Sequence, residues 1–219
     1  MRHIAQTITA CAIALASMAA YANPTAPSVT PDAAWKSLTA GNERFVDGHT
    51  HHPNQSVARR EELAKGQHPF AIVVGCSDSR LSPEIVFDQG LGDLFVVRVA
   101  GNIVDDNALG SVEYAVDHLG AKLIVVLGHE KCGAVAAAVA SPTAPGHVNS
   151  IVKAIQPAVA KAKKEKGDVV DNAVKENVKL VVSELDNSQP VLAKLVKAGT
   201  VKVVGARYDL DTGKVEIVK

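Results

Sequence analysis

The chain has 219 residues, 47% of them hydrophobic, 21% charged and 4% aromatic, which excludes disordered, collagen-like and coiled-coil chains. Its 23 Lys and Arg balance 23 Asp and Glu, so no global field draws it to nucleic acid or an anionic membrane, and any charge-dependent function is local. Three cysteines are too few for a disulfide framework, and the length suffices to close one sizeable core without one.

Arg2 and His3 precede an apolar run over residues 4–20, and Ala20, Tyr21 and Ala22 form a small-x-small cleavage signal ahead of Asn23 and Pro24. Residues 1–22 therefore read as a secretory signal peptide. A membrane anchor is the alternative, but the run is broken by Gln6, Thr7, Thr9 and Ser17 and is shorter than the roughly 20 clean apolar residues a span needs. Ile8, Thr9, Ala10 and Cys11 loosely resemble a lipoprotein processing box, yet a cut there leaves almost no hydrophobic segment before the cysteine. The mature chain is expected to be exported across the inner membrane to the periplasm, without a membrane attachment. Export removes Cys11 and keeps Cys76 and Cys132, which in an oxidising compartment would pair unless something else occupies them.

Residues 23–30 (NPTAPSVT) are a Pro-rich, polar, flexible lead. Thr30, Pro31 and Asp32 then supply N-cap, first-turn proline and acidic first turn of a helix carrying Trp35, Leu38 and Phe45 and ending near Gly48. A loop over residues 49–53 leads to a second helix, residues 57–65, stopped at Gly66. Four β-branched apolar runs bounded by turn residues predict buried strands at residues 70–75, 94–99, 123–127 and 201–204. Between them the spacing of Leu109, Val112, Val116 and Leu119 predicts a helix, as does the segment 83–87 opened by Ser82 and the stretch beginning near Gly133. Residues 149–198 hold two or three further helices, one Lys-rich over 161–166 and one starting at Ser188, Gln189 and Pro190; residues 215–218 form a last edge strand. Alternating strands and helices imply right-handed crossovers, so residues 31–219 are expected to be one α/β domain with a mainly parallel central sheet flanked by helices.

In open α/β sheets ligands gather beyond the carboxyl ends of the strands. Cys76, Ser77, Asp78, Ser79 and Arg80 follow the first run, and His129, Cys132 and Gly133 follow the third. Two thiols and an imidazole at one sheet edge suit tetrahedral zinc, and three protein ligands is the count of a catalytic site with its fourth position open. Metal-bound thiolates are also held apart and cannot pair. A disulfide between Cys76 and Cys132 with His129 incidental is the bland alternative. Asp78, held by Arg80, would either take the fourth position or accept a hydrogen bond from a zinc-bound water, whose pKa zinc lowers to about 7.

The run Cys76-Ser77-Asp78-Ser79-Arg80 with His129-x-x-Cys132-Gly133 resembles the zinc site of the β-class carbonic anhydrases. Further matches lie at residues 62–67, 95–102, 113–116, 176–178 and 205–213, so the resemblance covers residues 32–219. It implies that fold, one Zn2+ on Cys76, His129 and Cys132, and an Asp78–Arg80 dyad orienting the metal or its hydroxide. It also implies reversible hydration of CO2 to bicarbonate and a proton by attack of zinc-bound hydroxide. Gln67 matches a substrate-binding glutamine; Phe95, Ala100, Tyr114 and Gly133 match substrate-pocket positions, partly contributed by a neighbouring subunit, so a homodimer or higher homo-oligomer is implied. Val73 stands where the regulated bacterial subtype carries Trp, which implies an open, water-ligated site of the plant-like kind. Rival readings are a related CS2 or COS hydrolase, a non-catalytic zinc-binding module, and a thiol redox protein.

Overall fold

The computed structural model describes residues 29–219. The predicted signal peptide, with Cys11, and residues 23–28 of the lead fall outside them. The Thr30 hydroxyl accepts from Ala33 N–H and opens α1 (Pro31–Val46), whose Ala34 and Leu38 are fully buried. Ser56 caps α2 (Val57–Leu63) in the same way by accepting from Arg59 N–H. These caps satisfy donors that a helix start otherwise leaves unpaired.

Five strands follow: β1 (Ala71–Gly75), β2 (Leu94–Arg98), β3 (Leu123–His129), β4 (Lys202–Tyr208) and β5 (Val215–Ile217), in sheet order β2-β1-β3-β4-β5. The first four are mutually parallel and β5 closes the edge antiparallel to β4. The helices between them are α3 (Pro83–Val86), α4 (Asp106–Asp117), α5 (Gly133–Ala140), α6 (Val148–Ala162), α7 (Val169–Asn187) and α8 (Leu192–Lys197), with a 3-10 turn over Ala100–Asn102.

Successive side chains of a strand point to opposite faces, and the core divides accordingly. Val73, Leu123, Val125 and Leu127 pack with α1, α5 and α6 residues such as Leu38, Val135, Val152 and Ile155. Ile72, Val74, Ile124 and Val126 pack with Val112 and Val116 of α4, Val181 and Leu185 of α7 and Leu192 of α8. A sheet covered on both faces explains why its central strands are continuous apolar runs rather than alternating ones.

The structure differs from the sequence pattern at several places. β3 runs on through Gly128 to His129, and β4 through Tyr208, because His129 pairs in register with Tyr208. Leu119 lies past the end of α4, though it still packs on the second core. Of the lysines in the Lys-rich stretch only Lys161 is helical, since α6 ends at Ala162. The last helix begins at Leu192, after a turn through Pro190, rather than at Ser188.

Candidate metal centre

Gly75 of β1 pairs with Leu127 of β3, so the carboxyl ends of these neighbouring strands lie side by side. Cys76 follows β1 directly, His129 is the last residue of β3, and Cys132 is the N-cap of α5 after a turn in which Lys131 has φ 51°. Strand pairing and one tight turn thus bring three residues, distant in sequence, to one point. Their side chains are 4%, 0% and 1% exposed, and their ligand atoms all lie within 4.8 Å of one another.

The donor set fits zinc on three counts. The two thiols are free, with their Sγ atoms 3.9 Å apart. A disulfide would place them at about 2.05 Å, whereas two sulfurs each about 2.3 Å from a tetrahedral centre lie about 3.8 Å apart. The imidazole Nδ1 of His129 is 2.8 Å from the Glu130 carbonyl and donates to it, which leaves Nε2 as the acceptor facing the cluster, buried and without a partner. Third, one of the two sulfurs is disposed to be a thiolate. Donation from Cys132, the proximity of His129, and the N–H groups of Gly101 and Asp78 outweigh burial and pull the Cys76 thiol down to about 4. Cys132, as the donor to Cys76 and by burial, is pushed up. It is the partner whose second proton a metal must displace.

The Asp78–Arg80 dyad stands beside these ligands. Arg80 Nε and Nη2 donate to Asp78 Oδ1 and Oδ2 at 2.9 and 2.7 Å, and the Arg80 N–H adds a third bond to Oδ1 at 3.0 Å. Arg80 Nη2 also reaches the Lys131 carbonyl at 3.2 Å, tying the loop after β1 to the loop after β3. Asp78 Oδ2 lies 3.8 Å from His129 Nε2. The Arg80 guanidinium holds the Asp78 carboxyl well below the usual carboxylate range, so Asp78 is an acceptor at any working pH.

Ala100 opens the 3-10 turn next to Gly101, whose N–H donates to Cys76 Sγ at 3.2 Å. Gly133 follows Cys132 and is exposed, with open space where its Cβ would be. Both therefore border the centre. The other three pocket residues do not reach it within one chain. Phe95 pairs with Ile72, four residues short of Cys76, or about 13 Å along the strand. Tyr114 packs against Phe95 with ring centroids 6.4 Å apart, and Gln67 is exposed ahead of β1, at its opposite end. Arg98, which the sequence motifs leave without a role, builds the loop itself. Its Nε donates to the Cys76 carbonyl at 2.8 Å and its Nη2 to the Asp78 and Leu81 carbonyls at 2.7 Å each. Its place as the one charge at the end of an otherwise apolar strand is the only signal the sequence offers.

A family model described as carbonic anhydrase matches residues 71–215. The chain is 46% identical over 192 residues to a carbonic anhydrase 2 of Mycobacterium tuberculosis, covering 86% of this chain and 93% of the relative. Among solved structures it is similar to a tetrameric β-carbonic anhydrase of the ascomycete Sordaria macrospora, 25% identical with TM-score 0.68 over 84% of this chain and 96% of the other. A Coccomyxa β-carbonic anhydrase in complex with acetazolamide is 30% identical with TM-score 0.67, over 83% and 84% of the two chains.

Proposed function

The chain belongs to the β-class carbonic anhydrases, which catalyse the reversible hydration of CO2 to bicarbonate and a proton, and from that premise we propose that it works with one zinc ion on Cys76, His129 and Cys132, as an exported homo-oligomer. The observation that carries the metal assignment is the unpartnered, buried Nε2 of His129 facing two thiols held 3.9 Å apart. Bound there, zinc supplies Lewis acidity, which brings the pKa of a water down to about 7.

The protein's own residues do the rest. Asp78 accepts a hydrogen bond from the attacking water and so points its lone pair at the carbon of CO2. Arg80 holds Asp78 at two oxygens, which keeps the carboxylate from turning to the metal or taking up the product proton. CO2 carries no charge, so its binding needs a dry wall and one donor rather than a charged pocket. Ala100 stands at that wall beside the thiolates, and Gly133 leaves the opposite side open.

Gln67, Phe95 and Tyr114 complete the pocket only from a second copy of the chain. Two features support that reading: β2 is an edge strand with the half-exposed apolar sequence LFVV, and Tyr114 beside it is 43% exposed. Such an edge invites pairing with another chain, and the Sordaria relative is a tetramer. Export is read from residues 1–22, and among the described residues no helix is long and apolar enough to cross a membrane. The test of the metal assignment is Cys132→Ser, which loses zinc and hydration together; full zinc with a serine at 132 would overturn it. Deleting residues 23–48 is expected to convert the oligomer to monomer in sedimentation, and an oligomer unchanged by the deletion would refute a role for α1 in assembly.

A further inference from the structure

Among the described residues three buried side-chain polar atoms have no hydrogen-bond partner: His129 Nε2, Asn102 Nδ2 and Asn177 Oδ1. Native chains hold few such atoms, and each is a cost that needs a reason. The metal centre explains the first. The other two belong to neighbours of Gly101, the residue whose N–H donates to Cys76 Sγ: Asn102 follows it in the chain and Asn177 is hydrogen-bonded to it.

The turn that presents this N–H is unusual. Gly101 and Asn102 both have left-handed backbone, with φ 72° and 45°, and the Asn102 N–H closes the turn onto the Val99 carbonyl at 2.8 Å. A Cβ on Gly101 would lie 2.7 Å from Ile155 Cδ1 of α6 and 3.3 Å from Ala134 Cβ of α5, so the turn is pressed into the core. Its remaining polar tie is the Gly101 carbonyl, which accepts from Asn177 Nδ2 of α7 at 2.8 Å. That acceptor fixes the amide orientation and leaves Oδ1 bare. The α7 neighbours Val174 and Val178 pack against Gly128. A leucine at 177 would fill the same space with no unpaired acceptor, so packing does not account for an amide that is 1% exposed.

We propose that Asn177 is a positioning residue for the Cys76 sulfur: from α7 it clamps the Gly101 carbonyl, which holds the left-handed turn and aims the Gly101 N–H at that sulfur. The proposal rests on the zinc assignment above. An N–H directed at a thiolate draws charge from it and fixes its direction, so it tunes how strongly Cys76 donates to a metal. Without the clamp, the two peptide units around Gly101 turn more freely and the N–H drifts from the sulfur.

The test compares the purified wild type with Asn177→Leu and Asn177→Asp, loaded with zinc for chelator competition and with cobalt(II) for its thiolate charge-transfer band. Asn177→Leu removes donor and bare acceptor together while keeping the branched shape of the side chain; Asn177→Asp replaces the donor with a second acceptor oxygen and adds a charge. Asn172→Leu is the control, because Asn172 is a buried amide of the same helix whose side chain donates to the Lys166 carbonyl rather than to a residue of the site. We expect a zinc affinity lower by roughly 10–100-fold in both Asn177 variants, with a shifted cobalt band, while Asn172→Leu lowers the melting temperature but moves neither. Asn177 variants that bind metal like the wild type, or a control that shifts the band equally, overturn the proposal alone. A wild type that takes up no metal overturns the metal centre and this proposal with it.

Discussion

Replacing Asp78 by asparagine preserves side-chain size and removes only the charge and one acceptor. Three donors converge on the wild-type carboxylate, from Arg80 Nε and N–H on Oδ1 and from Arg80 Nη2 on Oδ2, at 2.7–3.0 Å. An asparagine offers one acceptor oxygen, so in either orientation its NH2 group faces an Arg80 donor and the pair cannot stay bidentate. The Arg80 side chain is half exposed, so water replaces the lost partner and the cost in stability is small. The cost to turnover is not small, because the side chain no longer holds the attacking water by a fixed acceptor. Positioned proton acceptors contribute about 10²–10⁴ in rate. Asp78 is held too far below the usual carboxylate range to take the proton outright, so the lower bound applies. We expect kcat/KM to fall about 100-fold, or about 2.7 kcal/mol of transition-state stabilisation. Zinc content stays at the wild-type level, since Asp78 is not one of the three buried ligand residues. Stopped-flow hydration with a pH indicator, run beside metal analysis, reads both quantities. A kcat/KM within about threefold of wild type would refute the orienting role, and loss of zinc would show Asp78 to be a ligand.

Away from the centre, Asp88 is 3% exposed and accepts from Arg44 Nε at 2.6 Å and from the N–H groups of His51 and His52. Burial alone would raise its pKa, but these donors outweigh it and the net shift is downward. A depressed folded pKa stabilises above the unfolded value of about 4 and is lost as pH falls through the folded value. Asp88→Asn is therefore expected to cost about 1–3 kcal/mol in urea unfolding at pH 7, a gap that closes as pH drops below about 4; a gap constant with pH would contradict the ion-pair account. Gly128→Ala would put a Cβ 2.5 Å from Val178 Cγ2, next to His129. We expect a loss of about 1–3 kcal/mol, largely restored by adding Val178→Ala; a double variant no more stable than the single would place the strain elsewhere.

The chemistry-bearing residues were legible because their types are rare in this chain and their spacing is local. Asp78 and Arg80 sit two and four residues past Cys76, and His129 and Cys132 span one turn. The N-cap Thr30 was legible for the same reason, as short-range chemistry. What supports the site was not, because it is made across the fold. Arg98 and Gly101 meet Cys76 from 22 and 25 residues away, and Asn177 meets Gly101 from 76. No local pattern encodes such pairings. Gly128 and His129 did not read as strand, since glycine and a polar ring carry little β preference, yet pairing with β4 extends β3 through both. Pocket residues Gln67, Phe95 and Tyr114 were recognisable only through family resemblance, and one chain does not bring them to the metal ligands.

The central claim is that Cys76, His129 and Cys132 hold the zinc on which CO2 hydration depends. Stopped-flow hydration on the purified wild-type chain, with zinc counted in the same sample, tests it most directly. The account predicts about one zinc per chain and fast hydration that a chelator abolishes and added zinc restores. Hydration undiminished in a zinc-free chain, or a full complement of zinc with no hydration at mildly alkaline pH, would contradict it.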